Sequence, residues 1–436
     1  MQVSARRTLY YGCTWETGRS MQSRIWFWLP LAALACAVQT AAGDEAGSYA
    51  LVDARARAAP ASCALSLDGL AAYLRQWVND DSEKARAAFT WIAHNVVYDV
   101  SLRGTTQGAP DVLKSRRAAC WGYAALFEAL AEALGLEVEI IRGHAKVREY
   151  EVGQRFGTSH DHSWNAVKIE GEWRLADCTW GAGWLNDSNR FVPDFKEHYF
   201  LTPPEQLVYT HFPSDPKWQL LPRPLSEQEC VDLPRVKPGF FQHGLQLVSH
   251  RSARIDSEGP LRVVLAVPSG IVVTARLLRG RRELDRSCTF AQREGPEYAV
   301  YVMPPQPGEY TLRLYACERE RLRSDCDQAL EYVVKALSAE RIGGGYPKIY
   351  ASFLERDCRL DHPIHRVIEA TGAVEFSLSA PGAADVIVEC GALQTHLPGN
   401  ADRFAGTALV QPGRVRVFAK FAGMTKHEAL LEYAVR

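Results

Sequence analysis

The sequence predicts an α+β domain followed by two all-β sandwich domains. Three observations carry that reading. Apolar residues recur at helical spacing early in the chain and at alternating spacing later. Short segments of the carboxyl-terminal half repeat one another, and a proline-rich stretch separates the two regimes.

Composition sets the outer limits. The 436 residues are 47% hydrophobic and 23% charged, enough apolar material for several cores. A formal net charge of -1 offers no pull toward nucleic acid or an anionic membrane surface, so neither is an expected partner.

The amino end, "MQSRIWFWLPLAALACAVQTAAGDEAG" from Met21 to Gly47, has Arg24, an apolar run from Ile25 to Val38, then small residues. That layout predicts a signal peptide over residues 1–43, with Met21 as its start and cleavage near Ala42 or Gly43. The run is short for a membrane span, so no span is expected once the leader is removed. The competing reading is an uncleaved anchor. Export predicts a secreted, periplasmic or cell-surface location, where disulfides can persist. Of eleven cysteines, Cys13 and Cys36 leave with the leader. Cys317 with Cys326, and Cys358 with Cys390, are then the expected pairs, against the alternative of buried free thiols.

The α+β domain is expected over residues 65–221. "DDSEKARAAFTWIAHNVVYD" offers Asp80, Asp81 and Ser82 as caps, then Ala85, Phe89, Ile92 and Val96 at helical spacing. A second helix begins at Cys120, places Leu126, Leu130 and Leu134 on one face and ends near Gly135. "EVEIIRG" reads as a strand, and "HSWNAVKIEGEWRLADCTW" as a hairpin turning at Glu170–Gly171. The prolines between Phe212 and Gly239 predict an ordered strap, with a connector at 222–239. Sandwiches follow at 240–336 and 346–436. "QPGEYTLRLYA" (Gln306–Ala316) matches "QPGRVRVFAKF" (Gln411–Phe421), and "ALEYVV" (Ala329–Val334) matches "LLEYAV" (Leu430–Val435). "AERIGGGYP", Ala339–Pro347, is the expected hinge.

The chemistry concentrates on Cys120. A thiol attacks only as thiolate, and the first turn of a helix favours an anion and offers free N–H groups to an oxyanion. Gly122 allows close approach of neighbouring chain. If the hairpin turns in two residues, Ile169 faces Glu172, and Asp177 falls diagonal to His162 on one face of the sheet. Cys120 as nucleophile, His162 as base and Asp177 as orienter then form a triad. Trp121, Trp164 and Trp180 are candidates for lining the substrate and the oxyanion position, against plain hydrophobic packing. His160 and His162 show no third and fourth metal ligand, and no loop has calcium-binding form, so no metal or other cofactor is expected, the alternative being calcium held by carboxylates scattered in sequence.

These residues resemble the transglutaminase-like superfamily of papain-type fold, and more narrowly the kyphoscoliosis peptidase-like group. The resemblance rests on "FTWIAHNVVYD", "CWGYAALFEAL" through "GHAK", "HSWNAVKIEGEWRLADCTWGAG", "EHYFLTPPEQL" and "HFPSDPKWQLL", in that order from Phe89 to Leu221. It implies the triad Cys120, His162 and Asp177, and immunoglobulin-like sandwiches behind. Trp121 departs from the group's small or polar residue after the cysteine, and Cys178 from its proline or serine after the aspartate. The resemblance implies a cysteine acyl-transfer enzyme: a thioester at Cys120, resolved by water or by an amine. The substrate would be a protein or peptide, including one of the cell wall or surface. The alternative is a non-enzymatic adhesion or scaffold protein that binds through its sandwiches and carries a vestigial triad.

Overall fold

A computed structural model describes residues 49–339, 342–369 and 372–436. The expected leader lies outside the described residues. Among the described residues no helix is long and apolar enough to cross a membrane.

The first domain layers helices on one antiparallel sheet. Helices α1 (Ala50–Arg57), α2 (Leu67–Leu74) and α3 (Asp81–Asn95) come first. Asp80 caps α3 by accepting from the Glu83 N–H at 2.8 Å. Ala85, Phe89, Ile92 and Val96 are all buried, as the periodicity requires. Strand β1 (Val97–Tyr98) leaves α3 and pairs in parallel with β2 (Arg117–Ala118), beyond helix α4 (Ala109–Ser115). Helix α5 (Cys120–Ala133) follows, with Leu126, Leu130 and Leu134 buried. It stops at Gly135, whose φ of +91° closes the carboxyl end.

Strands β3 (Val138–Ala145), β4 (His162–Ile169) and β5 (Glu172–Ala176) form a meander. Helix α6 (Cys178–Ala182) and the small hairpin of β6 (Gly183–Leu185) and β7 (Phe191–Pro193) precede β8 (His211–Pro213). The sheet order is β5-β4-β3-β8. Ile169 faces Glu172 across a two-residue turn with positive φ at both Glu170 (+50°) and Gly171 (+87°). This is the twist a tight hairpin needs.

The proline-rich segment is a strap whose second half belongs to the first sandwich. A capping box at Ser226 opens the helix Glu227–Asp232, and Arg235–Val236 pairs with Leu330–Glu331 of the sandwich. Val236 and Phe240 sit in its core, which places sandwich residues upstream of position 240.

Each sandwich opposes a four-stranded sheet to a larger one. The repeated segments become neighbouring strands in both: Gly308–Glu318 beside Asp327–Ala336, and Gly413–Phe421 beside Glu428–Val435. The glycine after each Gln-Pro has nearly the same backbone, φ +140° at Gly308 and +136° at Gly413. Only glycine adopts that readily.

Two expectations are corrected. The last part of the expected hinge, at Gly345 and Tyr346, is not free. Tyr346 is buried and its N–H donates to the Ser287 carbonyl at 2.8 Å, while a Cβ on Gly345 would meet that oxygen at 2.5 Å. The chain is therefore clamped where it passes between sandwiches. Cys317 and Cys326 form a disulfide, but Cys358 and Cys390 are unpaired buried thiols. They lie next to opposite sheets of one sandwich, and the Cys390 sulfur takes the Gln411 N–H at 3.3 Å. Cys63, Cys120, Cys178 and Cys230 are unpaired as well.

Candidate active site

Cys120 is the first residue of α5. Ala119 occupies the cap position and gives no side-chain cap, so the first-turn N–H groups remain available to an anion. Gly122 faces α4 and the chain before it: a Cβ there would lie 2.9 Å from both Val112 and Ala118. The glycine thus seats the cysteine turn directly against α4.

His162 opens β4 and is buried. Asn165, farther along that strand, donates to the Ala124 carbonyl at 3.1 Å and ties the histidine strand to the cysteine helix. Asp177 follows β5 and caps α6, its Oδ1 accepting from the N–H groups of Thr179 (2.8 Å) and Trp180 (3.1 Å). Its Oδ2 lies 2.8 Å from His162 Nε2. The other ring nitrogen, Nδ1, is left for Cys120, whose thiolate the His162 ring stabilises.

A fourth member comes from β8. His211 Nε2 lies 3.1 Å from the same Asp177 Oδ2, and its Nδ1 lies 2.8 Å from the Thr210 hydroxyl. Strand β3 separates β8 from β4, and at that level it carries Gly143. A Cβ at Gly143 would strike the Phe212 carbonyl at 2.2 Å and the Trp164 ring at 2.8 Å. The glycine lets β8 and Trp164 close around the carboxylate. His162, Asp177 and His211 are near enough to be considered as metal ligands. Both imidazoles aim Nε2 at one carboxylate oxygen, at 2.8 and 3.1 Å, which is the geometry of two hydrogen bonds to Asp177 Oδ2.

The charges follow from this packing. Burial works against the imidazolium of His162, but the Asp177 carboxylate outweighs it and, with Cys120, raises the ring to about 10. Burial also opposes ionisation of Asp177, and the charges and hydrogen bonds of the two histidines overcome it, holding the carboxyl far below the usual range. For Cys120, burial is countered by the His162 hydrogen bond and charge, with help from the Ser163 N–H, and the thiol is held below its ordinary value. His211 goes the other way, since burial dominates and keeps the ring neutral. Asp177 therefore holds one imidazolium and one neutral imidazole. Cys178, buried beside that carboxylate, is pushed well up and stays a thiol.

The tryptophans divide. Trp180 is half-buried, its ring 5.5 Å from that of His162 and 4.7 Å from that of His211. Trp121 is half-buried with the Arg142 guanidinium 4.2 Å over its ring. Trp164 does not line a substrate surface: it is 1% exposed. Two residues beyond His162 on the same face of β4, it stacks 5.9 Å under that ring and abuts a gap of about 10 Å³ shared with Leu207 and Trp218. Its face supports the imidazolium from beneath.

Sequence reasoning assigned no role to His211, although "HFP" was visible. A histidine on a three-residue strand carries no periodic signal. It also left out Tyr98 and Arg103. Tyr98 pairs in register with Ala118, two residues before Cys120, and Arg103 Nε donates to its hydroxyl at 3.2 Å. The charge of Cys120 is felt at both.

Comparison with known proteins agrees with the layout. Residues 68–178 match the family model of the transglutaminase-like superfamily, and residues 227–342 that of the KY-like, immunoglobulin-like domain. Human kyphoscoliosis peptidase is 30% identical over 274 residues, 62% of this chain and 40% of the relative. Hillarin of Drosophila melanogaster is 34% identical over 210 residues, 43% of this chain and 25% of the relative. This chain thus spans about two fifths or less of the length of these relatives. Among solved structures, a TGase aligns at 15% identity and TM-score 0.20, over 37% of this chain and 38% of its own. The fold is a papain-like, transglutaminase-like domain followed by immunoglobulin-like β-domains, and in both parts the chain is similar to the kyphoscoliosis peptidase-like group.

Proposed function

We propose that the protein is a cysteine acyl-transfer enzyme in which Cys120 is the nucleophile, His162 the acid–base and Asp177 the orienter. The observation that carries this reading is the buried His162–Asp177 pair, 2.8 Å apart, beside Cys120 at the start of α5, with the thiol held low and the imidazole held high. That is the balance an ion pair needs before substrate arrives.

The Cys120 thiolate would attack the carbonyl carbon of a peptide or carboxamide. The oxyanion forms over the first turn of α5, where the Cys120 N–H and the helix dipole favour it. The Nδ1 proton of His162 passes to the leaving nitrogen as the C–N bond breaks and the thioester forms. Water or an amine then attacks the thioester and gives a proton to His162, and the thiolate is released. Trp121 and Trp180, both half-buried near the reacting groups, restrict water there, which suits an amine acceptor. A protein or peptide is the substrate class, acted on outside the cytoplasm.

The rate of iodoacetamide labelling at Cys120 against pH tests the ion pair, with a His162→Ala variant beside it. The wild type should label rapidly well below pH 8, and the variant should shift to the profile of an ordinary thiol near pH 8.5. Slow labelling, alike in both proteins, would remove the enzyme reading.

A further inference from the structure

The first sandwich grips the segment that leads into His162. The segment between β3 and β4, residues 146–161, leads directly into His162, and several anchors of its first half come from the strap and sandwich. Arg235 donates to three of its carbonyls: Val147 at 2.8 Å, Tyr150 at 3.1 Å and Arg148 at 3.4 Å. That guanidinium is only 12% exposed, with Glu331 of the sandwich 3.9 Å away. Lys146 Nζ donates to the Leu233 carbonyl at 2.7 Å, and Val152 packs on Ala253 and Val333. A charged donor shared among three carbonyls fixes a backbone more firmly than neutral contacts do.

Both ends of the segment lie at the catalytic level of the sheet: Ala145 pairs with His211 just before it, and Asp161, its last residue, accepts from the Ala145 N–H and precedes His162. Glu149 is felt electrostatically at Tyr98 and Arg103, the residues that also feel Cys120. Arg148 reaches the carbonyls of Leu185 and Asn186, just beyond Trp180. Residues 147–150 thus run as a wall from the level of His211 to the chain beyond Trp180.

Resting on the acyl-transfer reading above, we propose that Arg235 is a positioning residue: it holds the 147–150 wall so that an extended acyl donor can lie along Cys120. The sandwich is then a working part of the enzyme, not an appended binding module. It acts on substrate seating and leaves the thiolate–imidazolium pair alone, because no Arg235 contact reaches Cys120, His162 or Asp177.

The test uses the full chain and two alkylating probes, iodoacetamide and a peptidyl chloromethyl ketone. Arg235→Met removes the carbonyl contacts while keeping bulk, and Arg235→Lys keeps the charge without the fork. In Arg235→Met, iodoacetamide labelling should stay within about twofold and its pH profile should not move. The peptidyl reagent should slow by about tenfold or more, as expected of a misplaced binding wall. Arg235→Lys should fall between. Hydrogen exchange should quicken at the amides of residues 147–152 in Arg235→Met, with α5 and β4 unchanged. Equal slowing of both probes would show a general loss of fold and overturn the proposal, as would no change in either. If wild-type Cys120 behaves as an ordinary thiol toward both probes, the acyl-transfer reading fails. Hydrogen exchange would still decide whether Arg235 holds the wall.

Discussion

At the scale of single residues, Asp177 is the most constrained group in the molecule, because one carboxylate caps a helix and serves two histidines. Asp177→Asn separates these tasks. The amide oxygen can keep the cap, but its nitrogen must then face His162 Nε2 and His211 Nε2. Both rings would have to accept there, which puts the His162 proton on Nδ1, where it cannot take one from Cys120. Turnover should fall by about 10³–10⁴-fold, the scale known for a wrong-tautomer triad, with little loss of melting temperature. His211→Phe should cost less, about tenfold, since it removes one of two partners of Oδ2. The pH profile follows from the same groups. Labelling should rise through the lowered thiol range and stay high. Turnover should fall again near pH 10, as His162 loses the proton the leaving amine needs. A turnover profile still rising above pH 11 would contradict this. The triad was legible because a two-residue turn dictates which side chains share a face of the sheet. His211 was not, since its partner lies two strands away and only the sheet order β5-β4-β3-β8 brings it in.

At the scale of elements, local rules worked wherever the chain's own geometry decided the outcome. The Asp80 cap, the buried face of α5 and the Glu170–Gly171 turn all follow from neighbouring residues. Glutamate is a poor occupant of φ +50°, and asparagine tolerates it better. Glu170→Asn should therefore stabilise the first domain by about 0.5–1 kcal/mol, a rise of a few degrees in melting temperature. An unchanged or lower melting point would mean that the turn is not strained. What the sequence could not show is the buried pair that fastens α1 to α3. Asp53 accepts from Arg86 Nε at 2.7 Å and Nη2 at 2.8 Å, and from Thr90 at 2.7 Å. Burial opposes its charge, but the Arg86 hydrogen bonds win and hold the carboxyl below its usual value. The stability this pair gives is present above the ordinary carboxylate range and is lost as pH falls through the depressed folded value. Asp53→Asn should cost about 3 kcal/mol at pH 7 and flatten the acid side of the melting curve. Equal acid sensitivity in both proteins would exclude that origin.

At the scale of the whole molecule, the internal repeat predicted two sandwiches but not how they meet. A glycine-rich stretch reads as a hinge because glycine is free when nothing touches it. Here Gly345 is pressed on the Ser287 carbonyl, and Tyr346 enters a core shared by both sandwiches. That cluster takes Val272, Phe290 and Met303 from the first and Phe353 from the second, and Phe290 lies 5.9 Å from both Tyr346 and Phe353. Ion pairs of Arg293 and Arg319 with Asp357, and of Arg323 with Glu355, close the rim. Apolar side chains buried in common make the two sandwiches one cooperative unit, so deleting one shared ring should be felt by both. Phe353→Ala should destabilise the tandem by about 3–5 kcal/mol. In calorimetry of the full chain, the transition containing both sandwiches should move down as a whole. A separate early peak for the second sandwich alone, with the first unmoved, would show two independent modules. The distinction bears on the site as well. The first sandwich also carries Arg235, so a tandem that softens as one body should loosen the 147–150 wall, and exchange at those amides should rise in Phe353→Ala before the thiol changes its reactivity.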